Sequence, residues 1–151
     1  MTRAGYEALR TELGELAKER TRVVRGVADA AAEGDRSENA EYIYGKKRLR
    51  AIDKKMRFVA KAIDAAVVVD TSEDRGDKVF FGATVVLEDL DDGETATYQL
   101  VGEHETDAKA GRISYRSPVG RALMGKRLDD EIVVRTPGGT RELLVVEVRY
   151  E

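Results

Sequence analysis

Cysteine and tryptophan are both missing from this chain of 151 residues, and aromatic residues make up only 6% of it. Without cysteine, disulfides and thiolate metal sites are excluded, and a reducing cytosolic environment fits. With few aromatics, there is little bulk to fill a large core. No apolar run reaches the length that a bilayer span needs, and the N-terminus lacks the apolar core of a signal peptide. We therefore expect a cytoplasmic protein without a membrane partner.

Charge is plentiful and unevenly distributed. Charged residues make up 36% of the chain, with a net charge of -3. Residues 1–70 carry 15 Lys and Arg against 12 Asp and Glu, whereas residues 71–151 carry 11 against 17. The basic residues between positions 46 and 61 are Lys46, Lys47, Arg48, Arg50, Lys54, Lys55, Arg57 and Lys61, against Asp53 alone. This segment is basic enough to attract a polyanion.

The first half of the chain has the apolar spacing of a coiled coil. One series with alternate three- and four-residue spacing is Tyr6, Leu9, Leu13, Leu16, Val23, Val27 and Ala30, interrupted by Arg20. A second is Tyr42, Gly45, Leu49, Ile52, Met56, Val59, Ile63 and Ala66, in which Gly45 is the weak member. This spacing predicts two antiparallel helices over residues 2–68, within an N-terminal unit 1–70. Each helix of about 30 residues is roughly 45 Å long, and the connection near residues 34–39 becomes the far tip.

The second half has the pattern of strands. Residues 71–78 are polar and predict a linker to a C-terminal unit, 79–151. The predicted strands are Val79–Leu90, Thr95–Val101, Arg112–Arg116, Glu131–Thr136 and Thr140–Tyr150. A short helix is predicted over Pro118–Gly125, capped by Ser117. The fold class is therefore α+β, with a helical hairpin followed by a small antiparallel sheet and one helix.

The predicted tip carries two carboxylates, Asp35 and Glu38, with two possible roles. Three residues apart, they could converge on one divalent cation, although two carboxylates cannot complete a metal site without ligands from a partner. The same Asp-x-x-Glu spacing is typical of a capping box, in which both side chains satisfy free backbone amides, and spacing alone favours that role. Both interpretations stay open at this level.

The basic segment on the second helix also has two interpretations. Its side chains could follow a nucleic-acid backbone, or they could be the solvated face of a two-helix coil. The candidate RNA-binding residues are Lys46, Lys47, Arg48, Arg50 and Lys54. The single histidine, His104, and the Thr136–Gly139 segment are better explained as a loop residue and a hairpin turn.

Several motifs together resemble the Gre transcript cleavage factors. Residues 34–42, Gly-Asp-Arg-Ser-Glu-Asn-Ala-Glu-Tyr, followed by 46–50, Lys-Lys-Arg-Leu-Arg, resemble the family's tip and second helix. Residues 79–83, 117–126 and 136–139 resemble the family's C-terminal signatures, so the match is collinear over nearly the whole chain. Arg36 and the Lys-Lys-Arg run favour the GreB-like branch, whereas Gly125, Lys126 and the Pro-Gly-Gly turn are as typical of GreA.

The resemblance implies a monomeric accessory factor for bacterial RNA polymerase. An FKBP-like C-terminal domain would dock at the rim of the secondary channel, through Ser117 and Pro118 and the neighbouring Arg116. The coiled coil would enter the pore toward the nascent RNA 3′ segment. The resemblance makes Asp35 and Glu38 the pair that helps hold a second Mg²⁺ and an attacking water, with Ser37 and Asn39 as tip neighbours. Transcript cleavage would then be stimulated in trans, and the free protein would not be a nuclease.

Arg116 departs from the family pattern, in which an Asp or Asn often precedes the Ser-Pro pair. If that acid meets a basic rim, the reversal of charge would weaken docking or change its partner. Three other functions are kept as alternatives: a channel regulator that inhibits polymerase without cleavage, a prolyl isomerase and a plain RNA-binding coiled coil. Few aromatics argue against a proline pocket, and a fold alone is a poor guide to activity.

Overall fold

The computed structural model describes residues 1–33 and 39–151. By their contacts these residues form two compact units, one of residues 6–66 and one that combines residues 1–5 with 67–151. The observed class is α+β, as predicted. No helix in the described part of the chain is long and apolar enough to cross a membrane.

The first unit is the predicted pair of helices. Helix α1 spans Arg3–Ala32 and helix α2 spans Ala40–Ala65. The buried seam residues are Leu9, Leu16 and Ala30 of α1 and Gly45, Ile52 and Val59 of α2. Burial therefore follows the predicted three- and four-residue spacing.

Gly45, the weak member of the seam, lies where the two helices approach closely. A Cβ at this position would lie 2.6 Å from Cγ2 of Val27 on the facing helix. The glycine therefore allows a close approach, and a larger residue would force the Val27 side chain to shift. Arg20, the polar interruption in the other series, donates from Nε to Oδ1 of Asp53 at 2.7 Å, so it satisfies its charge across the helix pair.

The second unit is built on a five-stranded sheet. Its strands are β1 (Thr84–Asp89), β2 (Thr95–Val101), β3 (Arg112–Ser114), β4 (Glu131–Thr136) and β5 (Gly139–Arg149), in the order β3-β2-β1-β5-β4. The predicted antiparallel pairing holds for β1, β2, β4 and β5, but β3 runs parallel to β2. Two short 3₁₀-helices, Glu103–Glu105 and Ala108–Ala110, carry the chain back before β3 begins. A connection of this length permits the parallel pairing, which a tight turn cannot make.

The start of β1 and the end of helix α3 differ from their predicted positions. β1 begins at Thr84 and not at Val79, because Gly82 has φ of +88° and bends the chain before the strand. Val79 is nevertheless fully buried, and its N–H donates to Lys126 O at 2.7 Å. Helix α3 spans Pro118–Leu123 and ends two residues early, since Gly125 adopts a left-handed φ of +82°.

The core of this unit lies between the sheet and α3. Its buried residues are Val79, Ala83, Val85, Leu87, Leu100, Leu123, Ile132, Val134, Leu143 and Val145. Eight of them come from β1, β2, β4, β5 and α3, and Val79 and Ala83 lie just before β1.

Residues 1–5 are held to the second unit by a buried carboxylate. The Thr2 N–H donates to Glu105 Oε1 at 2.8 Å, the Thr2 hydroxyl donates to the same oxygen, and the Gly102 N–H donates to Glu105 Oε2 at 2.8 Å. A Cβ on Gly5 would overlap the Glu105 carboxylate, so this contact needs a glycine there. Thr2 also forms an isolated bridge with Val69. The hydrogen bonds satisfy a charge that would otherwise be costly to bury.

Candidate functional site

Asn39 organises the start of α2 beside the predicted tip. Its Oδ1 accepts a hydrogen bond from Tyr42 N–H at 3.1 Å, which is the bond of an N-cap. Its Nδ2 donates to the carbonyl of Ala30 at 2.9 Å. One side chain therefore caps the second helix and ties it to the last turn of the first. The other predicted tip residues, Asp35, Ser37 and Glu38, lie outside the described residues.

The position of this cap bears on the two interpretations of Asp35 and Glu38. A capping box would need Asp35 at the N-cap and Glu38 at N3 of the second helix. In the structure α2 begins at Ala40, so Asn39 occupies the N-cap and Tyr42 occupies N3. Asn39 therefore caps α2, and the roles of Asp35 and Glu38 stay a prediction because both lie outside the described residues.

The described residues offer no complete metal site by themselves. Across residues 1–33 and 39–151, no group of three or more His, Asp or Glu side chains is close enough to hold an ion. Asp35 and Glu38 lie outside the residues to which this statement applies. That a partner completes the site stays a prediction.

The predicted basic slope lies along α2, but its members do not have the same partners. Arg48 donates from Nε and Nη2 to Oε1 of Glu19, at 2.7 and 2.5 Å, and so supports the helix pair. The Lys46 ammonium lies 5.7 Å from the centre of the Tyr42 ring. Lys47, Arg50 and Lys54 are exposed and form no ion pair with a described carboxylate. A polyanion could contact these three cations.

Ser117 and Pro118, the predicted docking residues, stand at the start of α3. Ser117 Oγ accepts from Gly120 N–H at 3.1 Å and donates to Ser114 O at 2.6 Å, so this hydroxyl is a helix cap. Pro118 occupies the first turn, where a missing N–H has no cost. Gly120 is buried, and a Cβ there would overlap the carbonyl oxygen of Ser114. The local sequence thus fixes a tight turn at the start of α3, which holds the predicted docking residues in place.

Arg116 is satisfied inside its own unit. Its Nε donates to the Tyr115 hydroxyl at 3.0 Å, and Nη1 lies 3.4 Å from Oε1 of Glu103. The Tyr115 bond and the Glu103 charge raise the pKa of Arg116. The Tyr115 ring in turn contacts Phe81 edge to face, with centroids 5.7 Å apart. Residues Tyr115 and Glu103 were not predicted, because only the fold brings them to Arg116.

A shallow cavity opens beside the same turn. It has a volume of about 250 Å³ and an apolar lining. The lining residues include Tyr98, Ile113, Pro118, Val119, Val134 and Pro137. The predicted docking residues therefore lie next to apolar surface that a partner side chain could cover.

Comparison with known proteins agrees with these motifs. A family described as "Transcription elongation factor, N-terminal" matches residues 1–68, and "Transcription elongation factor, GreA/GreB, C-term" matches residues 73–150. The transcription elongation factor GreB of Pasteurella multocida is 51% identical, over 100% of this chain and 96% of that protein. The transcription elongation factor GreA of Trichlorobacter lovleyi is 45% identical, over 100% of this chain and 96% of its own length.

Among solved structures, the Gfh1 protein of Thermus thermophilus, a GreA factor homolog, matches with 27% identity and a TM-score of 0.45, over 99% of this chain and 97% of its own. The resemblance to the GreB-like branch is confirmed by sequence identity: two GreB proteins, of P. multocida and Haemophilus influenzae, are each 51% identical. Since both family models match and together span nearly the whole chain, this protein belongs to the GreA/GreB family of transcription elongation factors.

Proposed function

We propose that the protein binds RNA polymerase and stimulates cleavage of nascent RNA in backtracked complexes, with Asp35 and Glu38 as the groups it donates to the active centre. The observation that carries this proposal is the cap at Asn39. Because Asn39 makes the N-cap bond of α2, the two carboxylates are not needed to start that helix. On this proposal they serve chemistry and not the start of α2.

The donor set fits a magnesium ion shared with another protein. Carboxylate oxygens are the ligands that Mg²⁺ prefers, but two carboxylates leave most of its coordination unfilled. The remaining ligands would come from the polymerase. When bound, the ion would supply stabilisation of negative charge and a water with lowered pKa. Asp35 and Glu38 would hold and orient these groups, and the helix pair would keep them near the RNA, so positioning supplies much of the rate.

Two further surfaces support the proposal. Lys47, Arg50 and Lys54 lie on α2, the helix that leads away from the carboxylates, and would contact phosphates of extruded RNA. The turn at Arg116, Ser117 and Pro118, with the adjacent apolar cavity, would dock on the polymerase rim. Glu103 already forms an ion pair with Arg116, so docking would not require an acidic residue of the polymerase beside Arg116.

The test is addition of the protein to stalled, backtracked elongation complexes with labelled RNA. Stimulated cleavage predicts shortened RNA that the polymerase can extend again after nucleotides are restored. Free RNA incubated with the protein alone should remain intact. Slower synthesis with no shortened RNA would instead show an inhibitor of the channel.

A further inference from the structure

Ion pairs join α1 to α2, and two of them repeat at the spacing of the coiled coil. Lys55 Nζ lies 3.2 Å from Glu12 Oε1, and Arg48 Nε donates to Glu19 Oε1 at 2.7 Å. The two acids are one heptad apart, and so are the two bases. If one helix slipped along the other by a heptad, an acid would still face a base, because Glu19 would meet Lys55 or Glu12 would meet Arg48. These two pairs alone therefore do not fix the register of the helices.

The ion pair between Arg20 and Asp53 has the opposite arrangement, with the base on α1 and the acid on α2. Arg20 interrupts the apolar seam, both side chains are half-buried, and Nε lies 2.7 Å from Oδ1. A slip of one heptad in one direction would bring Arg20 opposite Lys46, which repels it. A slip in the other direction would bring Asp53 opposite the apolar Val27, where a charge is costly. This pair therefore distinguishes the observed register from its neighbours.

The shape of the seam favours the same register. The contact between Val27 and Gly45 lies one heptad from Arg20 along α1, and a Cβ on Gly45 would stand 2.6 Å from Val27 Cγ2. α2 contains no other glycine. After a slip of one heptad Val27 would meet Ile52, a larger side chain that the close packing of the seam could accept only by moving apart.

The register decides which residues form the connection between the helices. In the observed register α1 ends at Ala32 and α2 begins at Ala40, so Asp35 and Glu38 both belong to the connection by their sequence positions. In an antiparallel pair with a connection of constant length, a slip of one heptad moves the midpoint of the connection by half of the slip, about three to four residues. At least one of the two carboxylates would then fall within a helix, and the pair would no longer share the connection.

We propose that Arg20 and Asp53, with Gly45 beside them, are positioning residues that hold the helix pair in the register that keeps Asp35 and Glu38 together in the connection. A polar group at an otherwise apolar seam is the best-attested way for a coiled coil to specify its register. The inference rests on the proposed function, because these two carboxylates are the groups that the register would position. Since a small misplacement of a reacting group costs much of the rate, a lost register would lower cleavage more than binding.

Electron–electron double resonance between two nitroxides measures the register directly. The chain has no cysteine, so Arg25→Cys on α1 and Lys61→Cys on α2, both at exposed positions, provide one labelled pair. In the observed register these positions are about 20 Å apart along the helix axes, and a slip of one turn to one heptad changes that offset by about 5–10 Å. The labelled protein should show one distance. Arg20→Asp, which places two acids opposite each other, should add a second distance changed by that amount, and the double exchange Arg20→Asp with Asp53→Arg should remove it.

Glu12→Lys is the matched control. It places two bases opposite each other at the pair with Lys55 and so removes an ion pair between the same two helices. Because that pair does not fix the register, the control should keep a single distance. Circular dichroism shows whether each variant remains helical, and Arg20→Gln, which removes the charge without adding repulsion, replaces Arg20→Asp if the latter does not.

Cleavage of RNA in backtracked complexes provides the second measurement. Stimulated cleavage by the Arg20 variant should fall by the fraction of molecules that show the second distance, while competition for polymerase stays nearly unchanged. The double exchange should recover cleavage, and Glu12→Lys should retain it. A residue that only stabilised the helices would not link the lost cleavage to a displaced distance.

A single, unchanged distance in the helical Arg20 variant would overturn the inference. A second distance that persists in the double exchange, or that appears equally in Glu12→Lys, would also overturn it. Since the distance measurement contains no polymerase, it is separate from the test of the proposed function. A protein that stimulates cleavage but keeps one distance in the Arg20 variant contradicts only this inference, whereas a protein whose register shifts as expected but that does not stimulate cleavage contradicts only the proposed function.

Discussion

Asn39 should determine how firmly the end of the helix pair is held. Its side chain makes two bonds, one accepted from Tyr42 N–H at 3.1 Å and one donated to Ala30 O at 2.9 Å. Loss of an N-cap costs about 1 kcal/mol, and a further hydrogen bond contributes about 1 kcal/mol. Asn39→Ala removes both, so we expect about 2 kcal/mol of local stability to be lost. Asn39→Ser keeps the cap and loses only the bond to Ala30, so its cost should be about 1 kcal/mol.

Amide hydrogen exchange measures this local loss directly. At about 1.4 kcal/mol for each tenfold change, exchange of the Tyr42 amide should be about thirtyfold faster in Asn39→Ala and about fivefold faster in Asn39→Ser. The amide of Val59, deep in the same helix, should be unaffected because the opening is confined to the helix end. Unchanged exchange at Tyr42, or an equal increase at Val59, would refute the reasoning that Asn39 anchors this end.

Three further predictions concern other parts of the chain. Glu105→Gln replaces an acceptor oxygen of a buried carboxylate with a donor, so the free energy of unfolding should fall by about 1–3 kcal/mol in urea titrations. Tyr150→Phe leaves a backbone N–H and a carbonyl without their side-chain partner, at a similar cost of about 1–3 kcal/mol. Burial raises the pKa of Tyr150. The difference in free energy of unfolding between the unaltered protein and Tyr150→Phe should therefore be fully present below the ordinary tyrosine pKa of about 10, and it should be lost as pH rises through the raised pKa. Unfolding measured across that pH range tests this. Replacing Lys47, Arg50 and Lys54 with Gln should lower the slope of log affinity for single-stranded RNA against log salt by about 0.7 per lost contact, whereas a merely solvated face would leave the slope unchanged.

The helix pair was predictable because its periodicity is local. Apolar residues at three- and four-residue spacing predicted both helices, and burial of Leu9, Leu16, Ile52 and Val59 confirms the seam. The role of Gly45 could not be predicted, because it depends on the close approach of a side chain from the other helix. Asn39 was not identified as the N-cap of α2, because sequence does not show at which residue a helix starts when several capping residues are adjacent.

The sheet unit was predictable in its strands and less so in its long-range contacts. The bounds of β2 and β4 are as predicted, because turn residues flank them. The parallel pairing of β3 with β2 could not be predicted, because it depends on the path of the connection between them, which contacts with other residues determine. The buried role of Glu105 was missed for the same reason: its partner Thr2 lies 103 residues away, and nothing in a polar loop sequence distinguishes a buried acid from a solvated one. The partners of Arg116 likewise come together only in the fold.

Transcript cleavage and polymerase binding, measured side by side for Asp35→Asn and Glu38→Gln, test the central claim most directly. Exposed Asp29, an acid on α1 outside the connection, provides the matched control Asp29→Asn. If the two carboxylates act at the active centre, both variants should lose stimulated cleavage in backtracked complexes while competing for polymerase nearly as well as the unaltered protein, and Asp29→Asn should retain both properties. Cleavage that persists in Asp35→Asn and Glu38→Gln, or that falls only in proportion to their binding, would contradict the claim.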